Sequence, residues 1–273
     1  MNFNLILELG CNHNGSIQKA KDMIKLAQIA GIKYVKLQKR DNDICIPKNK
    51  KNQEKVVPWR ALPTTYYQYR QDLEFDKNEY NELFSYAQKN NIILFASVWD
   101  YNSAIFMKDF TDIVKIPSAK ITDIPLLKKC KQFKFKLLST GMSTEKEIET
   151  AIDILEPNVI FHCNANYPTS PEQLHLGYIK HLQRKYPNIE IGLSSHYEGI
   201  RDILIAMGMG VNWAEKHYTL DRNDFGSDQK ASLSPRGLFE LMDNIKELEK
   251  ALDGDMDRMV YFGEEKKLKD LRG

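Results

Sequence analysis

The sequence predicts an α/β fold, a (β/α)8 TIM barrel, on three observations. Short β-rich runs alternate with longer stretches of helical period from residue 4 onward, eight such runs can be counted, and 273 residues suit one barrel domain. The runs are residues 4–9, 34–38, 92–97, 113–116, 136–139, 159–163, 190–194 and 213–217. A single domain over 1–273 is expected, with 254–273 as a C-terminal tail too short for a fold of its own and available to cap a barrel end. A doubly wound open sheet is the alternative, but no GxGxxG follows the first run.

Between the runs lie amphipathic stretches at 17–30, 78–89, 144–155, 171–185 and 200–209, and a final one at 233–252. In the first, Ala20, Met23, Ile24, Ala27 and Ala30 recur at steps of three or four, which lays one apolar stripe on a helix. Gly31 and Gly210 follow such stripes and suit helix C-termini. Ser143, Thr144 and Glu147 read as an N-terminal cap with an acid in the first turn. Residues 41–70 are polar and lysine-rich, with Pro47, Pro58 and Pro63, and read as a long loop over the face where barrels carry their chemistry.

Composition narrows the partners. With 39 basic and 37 acidic residues the formal charge is +2, which makes no case for nucleic acid or a membrane surface. Cys11, Cys45, Cys130 and Cys163 are scattered without a CxxC pair and read as reduced thiols. The first residues lack the basic start and apolar core of a signal peptide, and no apolar run approaches the roughly 20 residues of a membrane span. A cytoplasmic location is expected.

Reacting groups in a barrel come from the C-terminal ends of its strands. Those ends carry Glu8 and Asn12 to Asn14, then Lys36 and Gln38, Ser97, Lys115 and Ser118, Ser139 and Thr140, Asn164 and Tyr167, Ser194 to His196, and Glu215 with His217. Ammonium groups, hydroxyls and amides gathered at one mouth suit an anion bearing phosphate and carboxylate. His196 and His217 end neighbouring strands; two imidazoles so placed can share a divalent metal, or can equally be two satisfied polar side chains. His13 is either a substrate contact or a turn residue. His162 reads as a core histidine, and His175 and His181 as solvent-facing on the sixth helix.

The opening ELGCNHNGSIQKAKDMIKLAQIAGIKYVKLQK and the strings STGMS, GLSSHYEGI and EKHYTLDRNDFGSDQKASLSP, in this order, resemble the N-acylneuraminate (sialic acid) synthase family over about residues 4–252. The resemblance implies a transferase that joins phosphoenolpyruvate to a sugar aldehyde, with a divalent metal (Mn2+, or Mg2+ or Co2+) and as a homodimer. It implies Lys36, Lys115, Ser118, Ser139 and Ser195 as phosphoenolpyruvate contacts and His196 and His217 as metal ligands. Glu8, Glu215 and Asp228 would be the acidic catalytic positions, and Asn14, Lys120, Asn164 and Tyr167 would line the sugar pocket.

Departures from the family pattern fall in the sugar half. Lys120 stands where many members have an acid, Val98-Trp99 replaces a threonine-proline pair, Ala165 replaces a side-chain donor and Gln229 a histidine. No counterpart of the C-terminal antifreeze-like domain of full-length members is expected. The Lys120 substitution leads to the expectation of an acceptor carrying an anionic group. The competing expectations are a synthase for a different, phosphorylated aldose and a barrel retained as a non-catalytic subunit, against which the retained Glu8, Lys36, Lys115, His196, Glu215 and His217 weigh.

Overall fold

A computed structural model describes residues 3–254 and 259–272. Eight parallel strands close into a barrel: β1 (Asn4–Gly10), β2 (Tyr34–Lys39), β3 (Ile93–Val98), β4 (Ile113–Ile116), β5 (Phe135–Ser139), β6 (Val159–Cys163), β7 (Glu190–Ser195) and β8 (Trp213–His217). Each pairs with its sequence neighbours, and β8 closes on β1 with Glu8 opposite His217. A helix follows each strand: α1 (Ile17–Ile29), α2 (Lys77–Lys89), α3 (Tyr101–Lys108), α4 (Ile124–Cys130), α5 (Glu145–Leu155), α6 (Gly177–Lys185), α7 (Arg201–Gly208) and α8 (Pro235–Leu252). The predicted strands therefore stand, most with ends moved by one residue.

Local chemistry fixes the helix starts. Ser16 caps α1 by accepting from the Lys19 amide, and Thr144 and Glu147 form a reciprocal capping box on α5. The expected helix over 171–185 is broken: a 3-10 turn (Pro171–Gln173) precedes α6, and His175 between them is left-handed at φ 46°. His175 is therefore exposed on a connection rather than on the sixth helix, while His181 does lie on α6, half-buried and 3.2 Å from Glu145. His162 is a core histidine whose ring nitrogen meets the Leu174 carbonyl at 2.7 Å.

The reading of 41–70 as one long loop needs correction. Two four-residue helices (Asn42–Cys45, Lys48–Lys51) and a two-residue antiparallel ladder (Glu54–Lys55 with Thr64–Thr65) lie within it, and a helix (Tyr66–Asp72) ends it. Val57, Tyr69 and Leu73 form a small core of their own, against which Cys11, Tyr66 and Phe225 pack. Elements of two to seven residues are too short to display a period, which is why the sequence pattern passed over them. The segment is anchored to the end of β1: a Cβ on Gly15, which has φ +75°, would meet the Asp72 carbonyl oxygen at 2.0 Å. The expected capping by the tail is not observed in its described part. Residues 259–262 are exposed, and the helix Glu264–Arg272 buries no side chain. Residues 255–258 and 273 of that tail lie outside the described residues.

Alternation along the strands divides the interior. Odd residues of β1 (Leu5, Leu7, Leu9) face the helices, while Ile6 and Glu8 face the barrel axis. The lower axis is filled by Ile6, Phe95, Leu137, Val159, Phe161 and Trp213, so the barrel is a packed core and not a pore. Gly192 makes room for that filling: a Cβ there would stand 2.7 Å from the Phe161 ring and 3.0 Å from the Trp213 carbonyl oxygen. Gly192→Ala should therefore overpack the axis and destabilise the fold by about 1–3 kcal/mol, read as a lower urea midpoint with unchanged slope. An unchanged midpoint would contradict this packing.

Candidate active site

Above the apolar filling, the same inward positions turn polar. Glu8 (β1), Lys36 (β2), Ser97 (β3), Lys115 (β4), Ser139 (β5), Ser194 (β7) and Glu215 (β8) are all buried at the C-terminal ends of their strands. Together with His196, His217, Tyr167, Gln38, Trp99 and Ser118 they line one cavity of about 170 Å³. Two ammonium groups and two carboxylates form its floor. Lys36 Nζ lies 2.5 Å from Glu8 Oε2 and 3.7 Å from Glu215 Oε2, and Lys115 Nζ lies 2.7 Å from Glu215 Oε1.

Hydroxyls complete this floor. Lys36 donates to Ser97 Oγ at 2.6 Å and Lys115 to Ser194 Oγ at 3.3 Å. An ammonium has three donors, so each lysine keeps one for a ligand. Burial would raise the Glu215 carboxyl, but the charges of Lys115 and Lys36 overcome it and hold the group at about 2. Burial also pulls the Lys115 ammonium below its ordinary range, against the opposing pull of Glu215. The Ser139 hydroxyl is buried with no hydrogen-bond partner, as expected of a group reserved for a ligand.

The two imidazoles stand over this floor with ring centroids 5.5 Å apart. His196 Nδ1 meets the Asn164 carbonyl oxygen at 2.6 Å. A carbonyl only accepts, so Nδ1 carries the proton and Nε2 carries the lone pair. Burial, with the neighbouring His217 adding to it, pushes His196 down to about 3 and keeps the ring neutral. His217 Nδ1 is buried without a hydrogen bond and lies 3.9 Å from Asp228 Oδ2. Burial alone would raise the Asp228 carboxyl, yet His217 and Arg40 hold it below its ordinary value. Among the described residues no group of three or more His, Cys, Asp or Glu is placed to hold a metal ion. A neutral ring with a free lone pair and an orphaned buried ring nitrogen do fit two ligands of an open site that substrate oxygens and water complete.

Several expected site residues are placed elsewhere. Ser195 points to the outer face of β7, where its Oγ accepts from Lys216 at 2.8 Å; Ser194 takes the inward position. The period-two alternation with His196 carries that signal in the sequence. Asn14 donates to Asp224 at 3.4 Å and lies outside the cavity lining. Lys120 pairs with Asp123 at 3.4 Å, and Ala119 lines the wall instead. The Asn164 side chain is engaged by Gln173 and Asn166, and it is the backbone carbonyl that serves the site. Asp228 stands behind His217 rather than in the lining. Tyr167 does line it, with its ring centroid 3.9 Å from that of His196. Gln38 and Trp99 line the cavity without having been assigned a role from sequence.

Fold and site define the class: a (β/α)8 enzyme whose mouth carries paired lysines and glutamates beneath two imidazoles. Within that class the chain belongs to the NeuB family, whose model matches residues 23–257. It is 34% identical to the N,N'-diacetyllegionaminic acid synthase of Campylobacter jejuni over 98% of this chain and 82% of that protein. It is 33% identical to the human N-acetylneuraminate-9-phosphate synthase over 91% of this chain and 70% of that one. Among solved structures it resembles the N-acetylneuraminic acid (sialic acid) synthetase of Leptospira borgpetersenii in complex with citrate. The TM-score is 0.86 at 29% identity, covering 100% of this chain and 93% of the other. No helix among the described residues is long and apolar enough to cross a membrane.

The floor network gives a pH signature. The folded value of Glu215 is lowered from 4.5 to about 2, so its contribution to stability is complete above pH 4.5 and is lost as pH falls from there toward 2. Glu215→Gln should destabilise the fold by roughly 3 kcal/mol or more at pH 7, since it leaves two buried ammonium groups short of a counter-charge. The gap to wild type should narrow between pH 4.5 and 3, as measured by denaturant titrations at each pH. A gap constant across that window would show that Glu215 is not held ionised.

Proposed function

We propose that this chain condenses phosphoenolpyruvate with a sugar aldehyde to give a 3-deoxy-2-keto sugar acid and phosphate. The observation that carries the reading is the pair of buried lysines, each with a hydroxyl partner and a donor to spare. They sit at the strand ends of a family whose similar members are sialic and legionaminic acid synthases. Lys36 and Lys115, with Ser139, Ser194 and Ser118, are proposed to hold the phosphate and carboxylate by charge-assisted hydrogen bonds. Carbon 3 of the enol then bonds to the aldehyde carbon, and the aldehyde oxygen ends as a hydroxyl. Water adds at carbon 2, and the bond from that carbon to the phosphate oxygen breaks, releasing phosphate and leaving the ketone.

The chain's own groups suit these steps. Glu215 stays ionised between two ammonium groups, so it stabilises positive charge developing at carbon 2 and cannot donate a proton there. Glu8, held by Lys36 and by Gln38 Nε2 at 2.8 Å, is the carboxylate available to take a proton from the attacking water. His196 and His217 are the residues proposed to hold a divalent metal, Mn2+ first among candidates, which when bound would polarise the aldehyde oxygen. Tyr167 is proposed to flank the sugar. Free Cys11, Cys45, Cys130 and Cys163 support a reducing compartment, the cytoplasm, and the family resemblance supports a homodimer.

Phosphate release from phosphoenolpyruvate, screened over candidate sugars with and without Mn2+, tests the reaction itself; no release with any sugar would sink it and favour a non-catalytic barrel. Lys115→Ala should raise the KM for phosphoenolpyruvate about tenfold or more, in line with the roughly 1.5–3 kcal/mol typical of a charge-assisted contact. An effect confined to the KM of the sugar would contradict that assignment. The double variant His196→Ala with His217→Ala should lose Mn2+ binding by calorimetry while keeping its circular dichroism. Undiminished binding would place the metal elsewhere.

A further inference from the structure

Beside the cavity, on the β1 to β3 side, lie two guanidinium groups that the proposed reaction does not use. Arg40 follows β2 and lies flat on the indole of Trp99, its Cζ 3.7 Å from the ring centroid. One of its terminal nitrogens donates to Gln38 Oε1, and its Nε is buried without a partner. Arg70, on the helix Tyr66–Asp72, is 7% exposed. Its Nη1 donates to the Cys11 sulfur at 3.5 Å, and its Nη2 is buried without a partner. Trp99 Nε1 is a third buried donor with no acceptor.

The charge balance here is unusual. Among the described residues neither guanidinium has a carboxylate within 4 Å. Glu74 lies between the segments but is committed to Lys39 at 3.3 Å and to the Arg40 backbone amide at 3.3 Å. Burial, reinforced by the charge of Arg70 and opposed by Cys11 and Glu74, pushes the Arg40 guanidinium below its ordinary value, whereas Arg70, despite its burial, is held above its own by Cys11, Tyr66 and Glu74. Arg70 is buried and Arg40 half-buried, and cations so withdrawn from water are ordinarily paired. Three orphaned donors beside two unpaired cations call for an oxyanion. The floor lysines, by contrast, already have their carboxylates.

Gln38 and Trp99 both line the cavity, so Arg40 stands directly behind its rim. His196, His217 and Tyr167 occupy the β6 to β8 side of the same cavity. An acceptor whose aldehyde lies at the imidazoles would therefore extend its far end toward Gln38 and Trp99. We infer that Arg40, supported by Arg70, forms an oxyanion subsite at this rim and selects an acceptor sugar that carries a phosphate or carboxylate at the end remote from its aldehyde. This rests on the proposed condensation and names its acceptor class. It also moves the selecting cation from Lys120, which Asp123 engages, to Arg40 just after β2 and Arg70 on the helix Tyr66–Asp72.

The test compares N-acetylmannosamine with its 6-phosphate and with a hexuronic acid, phosphoenolpyruvate being saturating, in wild type, Arg40→Met and Arg40→Lys. Wild type should prefer an anionic acceptor. The ratio of kcat/KM for the anionic over the neutral sugar should fall tenfold or more in Arg40→Met and by less in Arg40→Lys, which keeps the charge but loses the planar fork. The two anionic sugars separate phosphate from carboxylate as the favoured group. If Arg40→Met does not fold, the Arg40→Lys ratio and calorimetric binding of each sugar to wild type decide the matter. A wild-type preference for the neutral sugar, or a ratio that Arg40→Met or Arg40→Lys leaves unchanged, overturns the subsite. Absence of phosphate release with every sugar would count against the condensation instead, and calorimetry would still decide the subsite by whether the anionic sugar binds more tightly than the neutral one.

Discussion

Everything at the mouth of this barrel depends on one buried, electrically neutral network: Glu8 with Lys36, and Glu215 with Lys36 and Lys115. Four charges removed from water are affordable only because each is paired, and because Ser97, Ser194 and Gln38 take up further hydrogen bonds. The network also reports that the sheet is closed. Lys115 stands on β4 and Glu215 on β8, four strands apart along the sheet. In an open sheet that separation is about 19 Å at roughly 4.8 Å per strand. Only closure, with the two strands across the axis from one another, permits a contact of 2.7 Å.

The network sets the division of labour above it. With Lys36 and Lys115 held by their carboxylates and hydroxyls, each keeps one donor for the phosphate and carboxylate proposed to bind there. Glu215, kept ionised, supplies negative potential at the same spot. The imidazoles take a different role because their surroundings differ: the Asn164 carbonyl fixes the His196 tautomer, and burial keeps that ring neutral. Ammonium donors below and a lone-pair donor above are thus separated within a single cavity by the character of the partner each side chain meets.

The rim differs from the floor in being unbalanced. Arg40 follows β2 and Arg70 stands on the helix Tyr66–Asp72 that ends the next segment, and among the described residues neither has a carboxylate within 4 Å. That segment is tied down through its own small core, through Phe225 of the loop after β8, and through the close approach at Gly15. The residues proposed to discriminate an acceptor are thereby held against the barrel, while the floor side chains stand on its strands. This suits a family whose relatives are synthases of different sugar acids.

Much was legible in the sequence, for identifiable reasons. Period-two runs and period-3.6 stripes are written in local order, so the eight strands, the α1 stripe and the α5 cap could be read directly, and the strand ends named Glu8, Lys36, Lys115, Glu215 and the two imidazoles. Local order does not say which neighbour a side chain finds. Ser194 and Ser195 are equivalent as letters, and only the pleat of β7 turns one to the axis and the other to Lys216. Lys120 looked like an acceptor contact until Asp123, three residues on, proved to be its partner. Arg40 and Arg70 are thirty positions apart, and nothing in the sequence brings Arg70 to Cys11 or lays Arg40 on Trp99. Secondary structure and the identity of the floor follow from short-range pattern, whereas pairing, tautomer and unpaired charge arise from contacts between residues far apart in the chain, which only the closed barrel brings together.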